Sequence, residues 1–173
     1  MIKRFLPDIY QDNIFKINYD KLKEKKIKCL LFDLDNTISP AKEVLLCKKT
    51  KKLFDKLKKD FKIILFSNNF PKRVSKFGDY YGIEIACISL KPFSFKYRSI
   101  LKKHKLNKNE VACIGDQLLT DINGGNKIGI TTILVNPISN IDETETWLNR
   151  QIEKKIFKTF EQKKLLIKGK YYD

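Results

Sequence analysis

Asp33 and Asp35 stand two residues apart in the stretch LLFDLDNTIS, directly after a run of apolar residues. Carboxylates placed at the end of a buried strand can act as nucleophiles, as general acids or bases, or as ligands of a hard cation. Thr37 follows the pair, and three later positions repeat the arrangement: Ser67 and Asn68 after KIILF, Lys91 after the run ending CISL, and Asp116 with Asp121 after VACIG. Taken singly each has an ordinary reading. The aspartates would form Asx turns, Ser67 and Asn68 would cap a helix, Lys91 would be a solvated lysine and Asp116 a turn residue. Their succession at four strand ends is harder to obtain by accident. It brings carboxylates, a hydroxyl and an ammonium to one rim.

The elements that must carry these residues are legible from the patterning. Short apolar runs (CLLF, KIILF, IEIACISL, VACIG, TTILV) recur at intervals of roughly 20 to 30 residues, separated by stretches with helical spacing. This predicts an α/β fold, a Rossmann-like three-layer sandwich with a central parallel sheet. Leu45, Leu46, Leu53, Phe54 and Leu57 form one amphipathic stripe; Val74, Phe77, Tyr80 and Tyr81 form a second, and Tyr97, Ile100 and Leu101 a third. Pro71 opens a helix and Gly82 closes it, while Gly124, Gly125 and Gly129 mark a crossover where backbone passes close to backbone. In such sheets ligands bind beyond the carboxyl ends of the strands, where the polar residues lie.

The 173 residues suffice for one domain with its own core. Cys29, Cys47, Cys87 and Cys113 are dispersed and read as small hydrophobes of a reducing, cytoplasmic compartment. With the lone His104 they make a zinc site improbable. No segment has the length and apolarity of a signal peptide or membrane span. The 36 basic and 20 acidic residues give a formal charge of +16, which calls for an anionic partner. Part of that excess follows from a lysine-, isoleucine- and asparagine-rich composition of the kind translated from AT-rich DNA.

The order of the polar positions resembles the haloacid dehalogenase (HAD) superfamily of phosphohydrolases: DLDNT as its first motif, FSNN as its second, Lys91 as its third and GDQLLTD as its fourth. The resemblance implies that Asp33 is the nucleophile of an aspartyl-phosphate mechanism. Asp35 is the acid that protonates the leaving group and then activates water, and Lys91 neutralises charge beside them. It further implies a Mg²⁺ ion held by Asp33, the Asp35 backbone carbonyl and Asp116, and a phosphate bound by Thr37, Ser67, Asn68 and Lys91. Asp121 would be a second acidic residue near the metal or an anchor for Lys91. No Cys-x5-Arg loop, second histidine or G-x4-GK[ST] loop offers a competing chemistry.

Neither the gap from Thr37 to Ser67 nor that from Ser67 to Lys91 has room for the cap domain that many members insert, so the expected site is open. FLPDIY, GDQLLTDINGGNKIG and ETETWLNRQIE are similar to the uncapped branch that includes phosphatidylglycerophosphate phosphatases. Asn149 and Arg150 match that branch without a role legible from their spacing. The expectation is a Mg²⁺-dependent phosphatase of a phospholipid headgroup, in peripheral contact with the cytoplasmic face of an anionic bacterial membrane. The alternatives are a soluble sugar phosphate, nucleotide or phosphoprotein as substrate, or an idle RNA-binding domain. The last is disfavoured because the aromatics sit at core spacing. Residues 1–26 are read as an N-terminal arm, 27–158 as the phosphatase domain and 159–173 as a basic C-terminal tail. Each terminal segment would either touch membrane or pack on the core.

Overall fold

Apolar runs that are continuous rather than alternating require cover on both faces of a sheet. The computed structural model describes residues 2–41, 43–139 and 146–171, apart from the side chains of Thr146 and Trp147. Its strands are β1 (Ile9–Gln11), β2 (Cys29–Phe32), β3 (Lys62–Phe66), β4 (Glu84–Ala86), β5 (Val111–Gly115) and β6 (Thr131–Val135). They form one parallel sheet in the order β1-β6-β5-β2-β3-β4. The helices are α1 (Tyr19–Glu24), α2 (Lys48–Leu57), α3 (Pro71–Tyr81), α4 (Phe95–Lys103), α5 (Asn123–Ile128) and α6 (Thr146–Gln162).

Successive strand residues point to opposite faces, so each run serves two cores. Leu30, Phe32, Leu65 and Ile114 pack with Phe54 of α2 and Val74, Phe77 and Tyr81 of α3. Cys29, Leu31, Ile64, Phe66 and Cys113 meet Tyr97 and Ile100 of α4 on the other side. Ile156 and Phe160 of α6 join Phe5, Leu118, Ile122 and Leu134. Burying each such large apolar side chain contributes about 1.5–3 kcal/mol. The uncapped architecture is as expected: among the described residues, Thr37 to Ser67 holds α2 and β3, and Ser67 to Lys91 holds α3 and β4.

Three features depart from the sequence patterning. Leu45 and Leu46 are exposed and precede α2, because the chain leaving β2 is still tied to its turn there, with Leu45 N–H donating to Ser39 Oγ. The run IEIACISL supplies only three strand residues, since β4 lies at the sheet edge and the chain turns after Ala86. The sixth strand, β1, comes from the N-terminal arm and pairs with β6, Ile9 opposite Ile133. Asp8 Oδ2 fastens it by accepting from Thr132 N–H at 2.7 Å. Helix α6 runs through residue 158 without a break, and Tyr171 bridges back to Ile9. No described helix is long and apolar enough to cross a membrane.

The chain winds outward from β2 to β3 and β4, then returns to lay β5 and β6 on the opposite side. The crevice therefore opens between the ends of β2 and β5, where ligands of parallel sheets bind. Asp33 directly follows β2 and Asp116 directly follows β5.

Candidate active site

Lys91 lies at the centre of the crevice with its side chain only 2 % exposed. An ammonium has three donors, and here all three are used: Nζ donates to Asp33 Oδ1 at 2.5 Å, Asp121 Oδ1 at 2.6 Å and the Phe66 carbonyl at 3.0 Å. Burial acts to lower its pKa, but Asp121 and Asp33 outweigh it and hold the amine charged well above its ordinary range. The lysine reaches this place because Asn68 grips its backbone from both sides. Lys91 N–H donates to Asn68 Oδ1 at 2.8 Å, and Asn68 Nδ2 donates to the Lys91 carbonyl at 3.3 Å.

Of the two carboxylates on Lys91, Asp33 faces the opening with 11 % of its side chain exposed, whereas Asp121 is enclosed at 1 %. Burial raises the Asp33 pKa well above the carboxylate range, against the pull of Lys91. Asp121 sits in a π-helical turn, Leu118–Ile122, that follows β5. Its carboxylate lies directly over Gly115. A Cβ at that position would stand 2.2 Å from Asp121 Cγ, so only glycine leaves room for it. Asp121 is ion-paired to Lys91 and also grouped with Asp33 and Asp116.

Asp116 is 2 % exposed and accepts from Thr37 Oγ1 at 3.3 Å. Arg150 of α6 ion-pairs with its carboxylate, donates to its carbonyl at 3.1 Å and reaches Glu153 at 3.0 Å. Burial pushes the Asp116 carboxyl up to about 7 despite that arginine. Glu153 in turn accepts from Leu119 N–H at 2.9 Å, which docks α6 on the turn carrying Asp121. Asp35 stands apart from this group. Its carboxylate is held by Asn69 Nδ2 at 2.5 Å and by Arg73, through Nε at 3.1 Å and a terminal nitrogen at 2.5 Å. Ser67 Oγ accepts from Asn69 N–H at 3.1 Å.

The sequence-predicted residues Asp33, Lys91, Asp116 and Asp121 are therefore brought into one cluster, with Thr37 touching it through Asp116. Asp35, Ser67 and Asn68 line the adjoining turn. Arg73 and Arg150 were missed as site residues. Arg73 had a positional signal, being three residues into a helix that begins at the rim; Arg150 had only its match to a branch motif. The start of that motif, ETETW, lies largely outside the described residues.

Asp33, Asp116 and Asp121 each offer a carboxylate oxygen, and these atoms lie within 4.8 Å of one another. Three buried oxygen donors without histidine or thiolate fit a hard divalent cation.

Residues 90–147 match the HAD-hydrolase-like family profile. The chain is 36 % identical over 165 residues to the Bacillus subtilis (strain 168) protein described as "Probable phosphatase YqeG", covering 94 % of this chain and 96 % of that one. It is 24 % identical over 148 residues to phosphatidylglycerophosphate phosphatase 1, chloroplastic/mitochondrial, of Arabidopsis thaliana. That match takes in 80 % of this chain but 42 % of the plant protein. The fold is shared with a haloacid dehalogenase-like family hydrolase from Xanthomonas campestris, with a TM-score of 0.50 and 11 % identity over 77 % of this chain and 99 % of that one. With carboxylates after β2 and β5 converging on one buried lysine in an uncapped parallel sheet, and a relative this similar along almost its whole length, the chain belongs to the haloacid dehalogenase superfamily and is a phosphatase of that superfamily.

Proposed function

We propose that Asp33 is the nucleophile, and that the substrate is phosphatidylglycerophosphate, cleaved to phosphatidylglycerol at the cytoplasmic face of a membrane. The observation that carries the chemistry is the difference between the two carboxylates on Lys91: both are ion-paired, but Asp33 alone faces the opening. Its free oxygen attacks phosphorus and the ester oxygen departs, leaving an aspartyl-phosphate. Lys91, ion-paired to Asp33, favours the ionised form that attacks, and opposes the rise that burial imposes on the Asp33 pKa. Asp35 gives its proton to the departing alcohol, then takes one from the water that attacks the acyl-phosphate, so that phosphate leaves and both aspartates are restored. Arg73 and Asn69 hold Asp35 in position for both transfers.

Ser67 accepts one bond from Asn69 and keeps its own hydrogen to donate to a phosphate oxygen. Asn68 acts on the phosphate through Lys91, whose loop it grips, and Thr37 through Asp116. A Mg²⁺ ion held by Asp33, Asp116 and the Asp35 carbonyl, with Asp121 behind, would offset the repulsion between a carboxylate and a phosphate dianion. The absence of a cap supports a large or surface-held substrate that covers the rim itself, and the Arabidopsis relative supports the lipid headgroup.

Asp33→Asn keeps the shape of the side chain but cannot attack. Turnover should fall at least about a thousandfold, about 4 kcal/mol in the barrier, with the circular dichroism unchanged. Activity within tenfold of the parent would remove Asp33 from the mechanism. Phosphate release across a panel of phosphatidylglycerophosphate and soluble phosphates tests the substrate. A higher kcat/KM for a soluble ester would replace the lipid reading.

A further inference from the structure

Five large apolar side chains crowd the rim of the open site. Phe70, Ile88, Leu90, Phe93 and Phe95 are between 42 and 71 % exposed, although each lies within five residues of Ser67 or Lys91 in the chain. They come from two segments, the loop after β3 and the loop after β4 with the first residue of α4, which four hydrogen bonds stitch together. Ile88 N–H donates to the Asn69 carbonyl and Ser89 N–H to the Ser67 carbonyl, both at 3.0 Å, and the other two are the bonds between Asn68 and the Lys91 backbone. Ile88 and Leu90 are held with φ of 48° and 50°, a left-handed backbone that isoleucine in particular rarely adopts. The turn points both side chains outward while Ser89 and Lys91, between and after them, are buried. The fold thus tolerates backbone strain to keep the lysine inside and the apolar residues at the surface.

The chain around both loops carries cations only: residues 61–78 contain four lysines or arginines and no acid, and residues 85–109 contain seven and no acid. Lys62, Arg73, Lys91 and Lys103 are ion-paired with acids from other segments, which leaves Lys72, Lys76, Lys96 and Arg98 as an excess of positive charge close in the chain to the apolar side chains. Apolar side chains beside such an excess are the surface of a protein that rests on an anionic bilayer, with the apolar groups entering the headgroup boundary. A nucleic acid would meet the charge but leave Ile88 and Leu90 without a partner. Resting on the proposed lipid substrate, we infer that the loops 67–70 and 87–95 are a membrane-docking rim that seats the open site on an anionic bilayer. A headgroup phosphate then enters beside Lys91 without leaving the bilayer.

The test uses the full chain, as wild type and as the double variant Phe70→Ser/Phe93→Ser. Both are co-sedimented with vesicles of phosphatidylglycerol and phosphatidylcholine, and with phosphatidylcholine alone; turnover of a small soluble phosphate ester is measured in parallel. Wild type should bind the anionic vesicles only, and less as salt rises. The double variant should bind them about tenfold more weakly or worse, with soluble-ester turnover and thermal unfolding unchanged, since both phenylalanines are exposed and off the catalytic groups. Equal vesicle binding by the two proteins, or none by wild type, overturns the docking rim. Light scattering that finds a wild-type dimer and a monomeric variant overturns it too, because a second copy would then cover the rim. Absent soluble-ester turnover by wild type would strike the proposed chemistry instead, while the vesicle result would still decide the rim.

Discussion

Replacing Lys91 with methionine keeps most of the side chain's volume and removes its charge. At an effective dielectric near 20, unit charges 2.6 Å apart, as for Lys91 and Asp121, attract by about 6 kcal/mol. Asp33 at 2.5 Å adds a contact of the same order, and both are opposed by the desolvation of the buried ammonium. Breaking such a buried arrangement from one side costs about 3–5 kcal/mol net, because the remaining charges stay buried without a partner. That is a large part of the about 5–15 kcal/mol that holds a typical domain together. The loss depends on pH. Lys91 has a raised pKa, so its contribution is fully present below the unfolded amine's value and is constant between pH 5 and 7.5. Asp33 also has a raised pKa, and Lys91 is the group that restrains it. In Lys91→Met the native Asp33 takes up its proton more readily as pH falls, whereas the unfolded chain does not, so the deficit should shrink towards pH 5. Urea unfolding in chelator at pH 5, 6 and 7.5 measures this. Asp121→Asn added to Lys91→Met should recover stability, since it deletes one of the stranded charges. A deficit below about 1 kcal/mol, or one of equal size at pH 5 and 7.5, would refute the account of a charge-locked centre.

Three further outcomes follow from the same geometry. Mg²⁺ should raise the thermal midpoint more at pH 8 than at pH 5.5. Asp116, with its carboxyl pushed up to about 7, destabilises the metal-free fold as pH rises through that value and must lose its proton to act as a ligand. EDTA should abolish turnover, Ca²⁺ should inhibit it, and Asp116→Ala should erase the pH-dependent midpoint shift; a metal effect independent of Asp116 would contradict the assignment. Gly115→Ala should cost about 1–3 kcal/mol and most of the activity, because the new methyl displaces the Asp121 carboxylate; unchanged turnover would show that Asp121 need not sit where it does. Arg73→Leu should lower kcat about tenfold to a hundredfold by loosening Asp35, while stability changes by less than about 1 kcal/mol; a kcat equal to wild type would separate Asp35's restraint from its work.

The sequence alone carried the parallel sheet, because strands covered on both faces must be continuously apolar, and that property is visible without knowing any partner. It also carried Asp33 and Asp116, whose position directly after such runs marks the sheet's carboxyl edge, whereas Asp35 lies two residues further and Lys91 follows a run of which only Glu84–Ala86 is strand. Local hydrogen bonding and periodicity decide those features, and both act over a few residues. Tertiary structure decided what depends on groups distant in the chain. Three residues of the N-terminal arm became an edge strand because β6 offered a free edge to Ile9, more than a hundred positions away. Ile88 and Leu90 look like strand residues, yet they turn outward because Lys91 must reach Asp33, 58 positions earlier, and bury its charge there. Arg150 gained its place from the docking of α6 on the turn after β5, with Asp116 34 residues away. Asp121 could anchor Lys91 only because Gly115 leaves space for its carboxylate. None of these contacts has a spacing signature, since a buried ion pair is selected by desolvation and geometry in three dimensions rather than by separation along the chain.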